Sequence, residues 1–139
     1  MAVFSDYGVS FEYPDDWEVD TQEAERERSV FVQGPGSAFA LVSVLDGRPT
    51  TGHVLDTAEN ALKSEYEDCE VDEPAAEMAG VDADARDVDF TCHDLVSTAR
   101  LRAVQGATQT VLLMGQRADI EADEADPVFE RIAATLSMA

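Results

Sequence analysis

The chain has 139 residues, 45% of them apolar, and sets 30 carboxylates against nine basic residues for a formal net charge of −21. That length suits one domain over residues 1–139, and the apolar content argues against a charge-driven disordered tail. Nucleic acid and anionic membrane surfaces are disfavoured as partners, because phosphate binding needs basic clusters and none occurs.

Taken in chain order, the first half alternates and turns often. Val3 to Ser5 and Gly8 to Tyr13 read as short strands, with Val9, Phe11 and Tyr13 on one face of the second. Pro14, Asp15 and Asp16 form a turn, and Trp17 to Gln22 follows as a strand with Trp17 directed to the core. Arg28 to Gln33 continues the sheet until Gly34-Pro35-Gly36 breaks it. Ser37 to Asp46 is the most apolar strand, and its near-continuous run predicts a central position covered on both faces.

From His53 to Asp68 the period changes. Leu55, Ala58, Leu62 and Tyr66 recur at helical steps, so an amphipathic helix is expected there, with Thr51 as its N-cap. Strands are then expected at Glu77 to Gly80, Ala83 to Thr91, Thr98 to Val104 and Thr108 to Gln116. Ala118 to Asp126 reads as an acidic loop, and Asp126-Pro127 as the N-cap and first residue of a helix carrying Val128, Phe129, Ile132, Ala133 and Leu136. The fold class is therefore α+β, with two main helices.

Little chemistry is legible. His53 and His93 lie far apart, and Cys92 and His93, adjacent on an expected strand, point to opposite faces. Cys69 and Cys92 read as two buried thiols rather than a disulfide. Asp82, Asp84, Asp87 and Asp89 crowd together, but Arg86 interrupts them and the calcium-loop glycine and distal glutamate are missing. Asp119, Glu121, Asp123 and Asp126 are the remaining calcium candidates, and a calcium- or small-ligand-binding domain using 119–126 is the alternative function, against the plainer reading of a solvated acidic loop. No nucleophile elbow, Walker loop or dinucleotide fingerprint occurs, so neither an enzyme nor a cofactor is expected.

The acidity has two readings. At about 1 M salt the Debye length falls to roughly 3 Å and self-repulsion among carboxylates is screened, which suits a halophile-like surface; Arg in place of Lys fits, only Lys63 being a lysine. Alternatively the surface meets a basic partner. No apolar run reaches the roughly 18 residues of a spanning helix, and Met1 to Tyr13 lacks a signal-peptide pattern, so a cytoplasmic protein without membrane insertion is expected.

Tyr7-Gly8-Val9-Ser10-Phe11-Glu12-Tyr13-Pro14-Asp15-Asp16-Trp17-Glu18-Val19 resembles the strand-turn-strand opening of PsbP-like domains, the superfamily that also holds DcrB-type proteins. Ala79-Gly80-Val81-Asp82-Ala83, the strand end at Phe90 and the close from Val128 to Ser137 are similar to later landmarks of that superfamily. The resemblance implies an α/β/α sandwich: a central antiparallel sheet of about six or seven strands, helices on its faces and a small strand pair at the start. It also implies a non-enzymatic module that binds another protein, as an adaptor or chaperone does, with no shared catalytic residues to carry over.

Overall fold

In the computed structural model, which describes residues 1–138, the chain runs β1 (Ala2–Asp6), β2 (Val9–Tyr13), β3 (Glu18–Glu23), β4 (Glu27–Gln33), β5 (Phe39–Asp46), α1 (Thr51–Glu65), β6 (Glu70–Asp72), β7 (Ala76–Met78), β8 (Val81–Cys92), β9 (Leu95–Gln105), β10 (Gln109–Ala118), a 3-10 turn (Asp119–Glu121), α2 (Ala122–Thr135) and β11 (Ser137–Met138). The order of the main sheet is β3-β4-β5-β10-β9-β8-β6, with β7 attached to β8, which makes eight strands rather than six or seven. All of its pairings are antiparallel. A separate sheet, β1-β2-β11, closes the two ends of the chain together.

Three hairpins turn on two residues of positive φ each: Tyr7-Gly8, Ala79-Gly80 and His93-Asp94. Paired positive φ matches the right-handed twist of the flanking strands, and Gly or Asp accepts it at low cost. His93 is therefore a turn residue, exposed at the tip of the β8–β9 hairpin, and not the strand residue the sequence suggested. Cys69 and Cys92 are free thiols but half-buried rather than buried.

Both helices start earlier than expected. Thr50, not Thr51, caps α1: its side chain accepts from the His53 amide. The acidic stretch before Pro127 is not a loop, since it forms the 3-10 turn and the first turn of α2. Asp123 and Glu124 sit where the positive end of the helix dipole stabilises carboxylates. Asp126 is held two-pronged by Arg117, at 3.0 and 3.1 Å, instead of capping a helix.

Strand β10 shows how the sheet divides its faces. Val111 and Leu113 enter a core with Val42 and Val44 of β5, Val30 and Val32 of β4, and Val128, Phe129 and Ile132 of α2. Their neighbours Leu112 and Met114 point the other way, to a core with Val54, Leu55 and Leu62 of α1 and Val88, Phe90 and Leu101 of β8 and β9. The helices thus lie on opposite faces, and they are offset. Helix α1 packs over β8, β9 and β10, whereas α2 packs on β10 with β2 and β7 alongside. Trp17 joins the α2 core as expected, edge-on to Phe129 at 6.5 Å.

Strand β5 is central, between β4 and β10, but its α1-side face is covered only in part. Ala40, Val42 and Val44 are buried in the core that holds α2; on the α1 side Ser43 is buried and Leu45 packs against the α1 core, while Phe39 and Leu41 stay half-buried where α1 stops short of them. The sequence expectation of double coverage holds at Ser43 and Leu45 and fails at Phe39 and Leu41, where it leaves an opening.

Candidate functional site

The opening is a groove of about 620 Å³ between α1 and the bare part of the sheet. Register fixes its floor. Leu41 of β5 is opposite Met114 of β10 and Ser43 opposite Leu112, and Phe31 of β4, opposite Leu41, borders the groove on its outer side. Phe39 lies beside Gln116, and the Phe31 and Phe39 rings stack at 5.0 Å. The wall is the inner flank of α1, with Val54, Ala58, Ala61 and Leu62. Neither Lys nor Arg lines the groove; its ionisable groups are His53, Tyr66 and, at its rim, Glu27 and Glu65. An apolar floor with a few polar groups at its edge is the usual make-up of a ligand site in this volume range. It is a surface for burying apolar groups.

A second cavity of about 440 Å³ lies on the opposite face, beside α2, with Arg100 and Arg102 at its floor. Its cations are already engaged. Arg102 donates to Asp87 at 2.8 Å, and Arg100 stands 3.6 Å from Asp126 and 3.7 Å from Glu130.

The residues singled out from sequence as calcium candidates take separate tasks. Asp119 and Asp126 both face Arg117, at 2.9 and 3.0 Å, and Asp123 is exposed. Glu121 turns to the Gly34–Ser37 turn, where it accepts from the Ser37 amide (2.9 Å), the Ser37 hydroxyl (2.5 Å) and the Ala38 amide (3.2 Å), and it also accepts from the Ala118 amide (3.1 Å). Among the described residues no three His, Cys, Asp or Glu side chains converge as a metal site. The acidic run on β8 is likewise divided, Asp84 bonding Thr51, Asp87 bonding Arg102 and Asp89 bonding Thr98.

Glu121 is a clamp between two distant segments. Burial pushes its pKa up, but the bonds from Ser37, Ala118 and Ala38 outweigh burial and hold it below the usual glutamate range. A depressed carboxylate stabilises the fold above its unfolded pKa, and that contribution disappears as pH falls through the folded value. Glu121→Ala is expected to cost about 1 kcal/mol at neutral pH, because the part-buried Ala38 and Ala118 amides lose their acceptor while water reaches the Ser37 donors. Urea melts at pH 7 and pH 3 check this: the gap between wild type and variant narrows at the lower pH.

Sequence reasoning missed the groove. The signal was present as two adjacent parities of apolar residues on Phe39 to Leu45, but it was read as burial from both sides.

No protein-family model matches the chain, and no curated protein matches its sequence. Solved structures do match it. LpqN, involved in cell envelope biogenesis of Mycobacterium tuberculosis, aligns with a TM-score of 0.62 at 18% identity, over 99% of this chain and 90% of that one. Cyanobacterial PsbP (CyanoP) from Synechocystis sp. PCC 6803 aligns with a TM-score of 0.71 at 13% identity, over 99% of this chain and 92% of that one. A protein of Bacteroides thetaiotaomicron aligns with a TM-score of 0.61 at 16% identity, over 95% of this chain but 45% of that one. The resemblance noted at the start of the chain thus extends over almost all of it, and the fold is PsbP-like.

Proposed function

We propose that this chain is a non-enzymatic binding domain whose binding surface is the groove between α1 and the open face of β4, β5 and β10. The observation that carries the proposal is the uncharged floor: in a chain of net charge −21, Phe39, Leu41, Ser43, Leu45, Leu112, Met114 and Gln116 form a continuous surface without one ionised group. Apolar surface left half-open in a small acidic domain marks an interaction site. The fold is taken as an α/β/α sandwich whose α1 layer is half filled, so a bound group completes it.

The acidity belongs to the same reading as an adaptation to a salt-rich aqueous compartment. Among the described residues seven of the basic residues (Arg28, Lys63, Arg86, Arg100, Arg102, Arg117 and Arg131) are already in ion pairs, which supports a surface that does not recruit phosphate. Among the described residues no helix is long and apolar enough to cross a membrane. The cytoplasmic expectation draws no support from LpqN, a protein of cell envelope biogenesis.

The neutral apolar dye Nile red tests the groove. Its fluorescence is expected to rise on mixing with the chain, and Leu41→Glu, which puts a charge on the floor, is expected to weaken binding at least tenfold. Equal binding by wild type and Leu41→Glu would place the dye elsewhere and end the proposal.

A further inference from the structure

We infer that the occupant of the groove is a basic amphipathic helix of a partner protein, lying on the sheet beside α1; this rests on the groove being the binding surface. Three observations carry it. The first is width. Helix α1 covers β8, β9 and β10 and leaves β3, β4 and the Phe39–Leu41 end of β5 open on its side of the sheet. Strands are spaced about 4.8 Å apart, so the bare width is about 14 Å, and packed helices stand about 8–10 Å apart. There is room for one more helix and not for two.

The second observation is the floor. Phe31, Phe39, Leu41 and Met114 run across neighbouring strands as one apolar band. An apolar helix stripe of two to three turns matches such a band, as in helix-in-groove recognition.

The third is the charge around it. On this face β3 presents Glu18 and Asp20, in register with Gln33 and Phe31, and β4 presents Glu27. Glu65 stands at the far end of α1's flank, and no Lys or Arg lines the groove. A helix seated here has Glu18, Asp20 and Glu27 on its outer margin and Glu65 at one end of its α1 margin, so Lys or Arg beside its apolar stripe complements them. A second copy of this chain, itself at −21, meets the same margins with like charge.

The test uses the whole chain, at the lowest KCl that keeps it folded, and two labelled 14-residue peptides. Both carry a Leu/Ala stripe; one has Lys on its remaining face and the other Gln. A peptide this short is barely helical alone, so a gain in helicity reports seating as well as binding. The Lys peptide is expected to bind, become helical, and bind at least tenfold more tightly than the Gln peptide. Leu41→Glu is expected to remove the gain in helicity. Phe31→Ser, at a ring already 39% exposed, repeats this with a change that leaves the core alone. Glu18→Gln with Asp20→Asn is expected to weaken the Lys peptide several-fold and leave the Gln peptide unchanged.

Equal affinity for the two peptides overturns the inference, as does Lys-peptide binding that ignores both Leu41→Glu and Phe31→Ser. Sedimentation showing a dimer through this face assigns the groove to a second copy and also overturns it. If Nile red occupies the groove while the Lys peptide does not bind, the helix inference fails and the binding-surface reading stands; if neither binds, both fail.

Discussion

Replacing Phe129 by alanine is expected to lower the stability of the fold by about 3–5 kcal/mol, the cost of emptying a large buried site. The ring is 3% exposed, meets Trp17 at an interplanar angle of 87°, and lies flat over β10 at Gly115. A Cβ added at Gly115 would stand 2.5 Å from Cγ of Phe129, so Gly115→Ala is expected to cost about 1–3 kcal/mol by overpacking. The two changes relieve each other, because removing the ring makes room for the methyl group. The double variant is therefore expected to be more stable than the sum of the single costs predicts, by about 1 kcal/mol or more. Urea melts of the four proteins measure this. Strict additivity would mean that Phe129 does not rest on Gly115.

Salt is expected to move the melting temperature more than any surface substitution. Two like charges about 10 Å apart in water repel by about 0.4 kcal/mol. With 30 acids against nine basic residues, seven of those basic residues already paired, many carboxylates have like-charged neighbours at such distances. The sum reaches several kcal/mol at low ionic strength and is largely screened at about 1 M salt, where the Debye length is roughly 3 Å. Given the usual relation between stability and melting temperature at this chain length, a rise of about 10–20 °C is expected between 0.1 M and 2 M KCl. Sodium chloride is expected to act much as KCl does, since the argument rests on screening. A flat response would remove the salt-adapted reading and leave the acidity to a basic partner.

The sequence made the elements legible where one face of each is wet. Strand β8 is an example: Val88 and Phe90 go into the α1 core, while Asp87 and Asp89 take partners on the other face. The helical period of α1 was equally plain, with Leu55 and Leu62 buried and Asp56 and Lys63 exposed. Short elements without such a pattern were not legible. Strand β6 has three residues and β11 two, and each exists because a longer strand offers it an edge.

The start of α2 was misplaced for an electrostatic reason. Asp-Pro is a strong start signal, but Asp123 and Glu124 already suit the first turn of a helix, and Arg117 draws Asp126 away from capping. The groove was illegible for a reason of counting. Apolar residues on both faces of Phe39 to Asp46 promise two covers, yet two helices span too few strands to cover both sides of an eight-stranded sheet. Weighing helix number against sheet width points to an uncovered apolar face; the offset between α1 and α2 decides which strands carry it.

The central claim, that binding takes place on the sheet beside α1, is tested most directly by amide chemical shifts of the isotope-labelled chain as Nile red is added. The predicted result is a set of shifts confined to Phe31, Phe39, Leu41, Met114 and the inner flank of α1 around Ala58 to Leu62, absent in Leu41→Glu. Shifts centred instead on Arg100, Arg102 and the exposed side of α2 would contradict it.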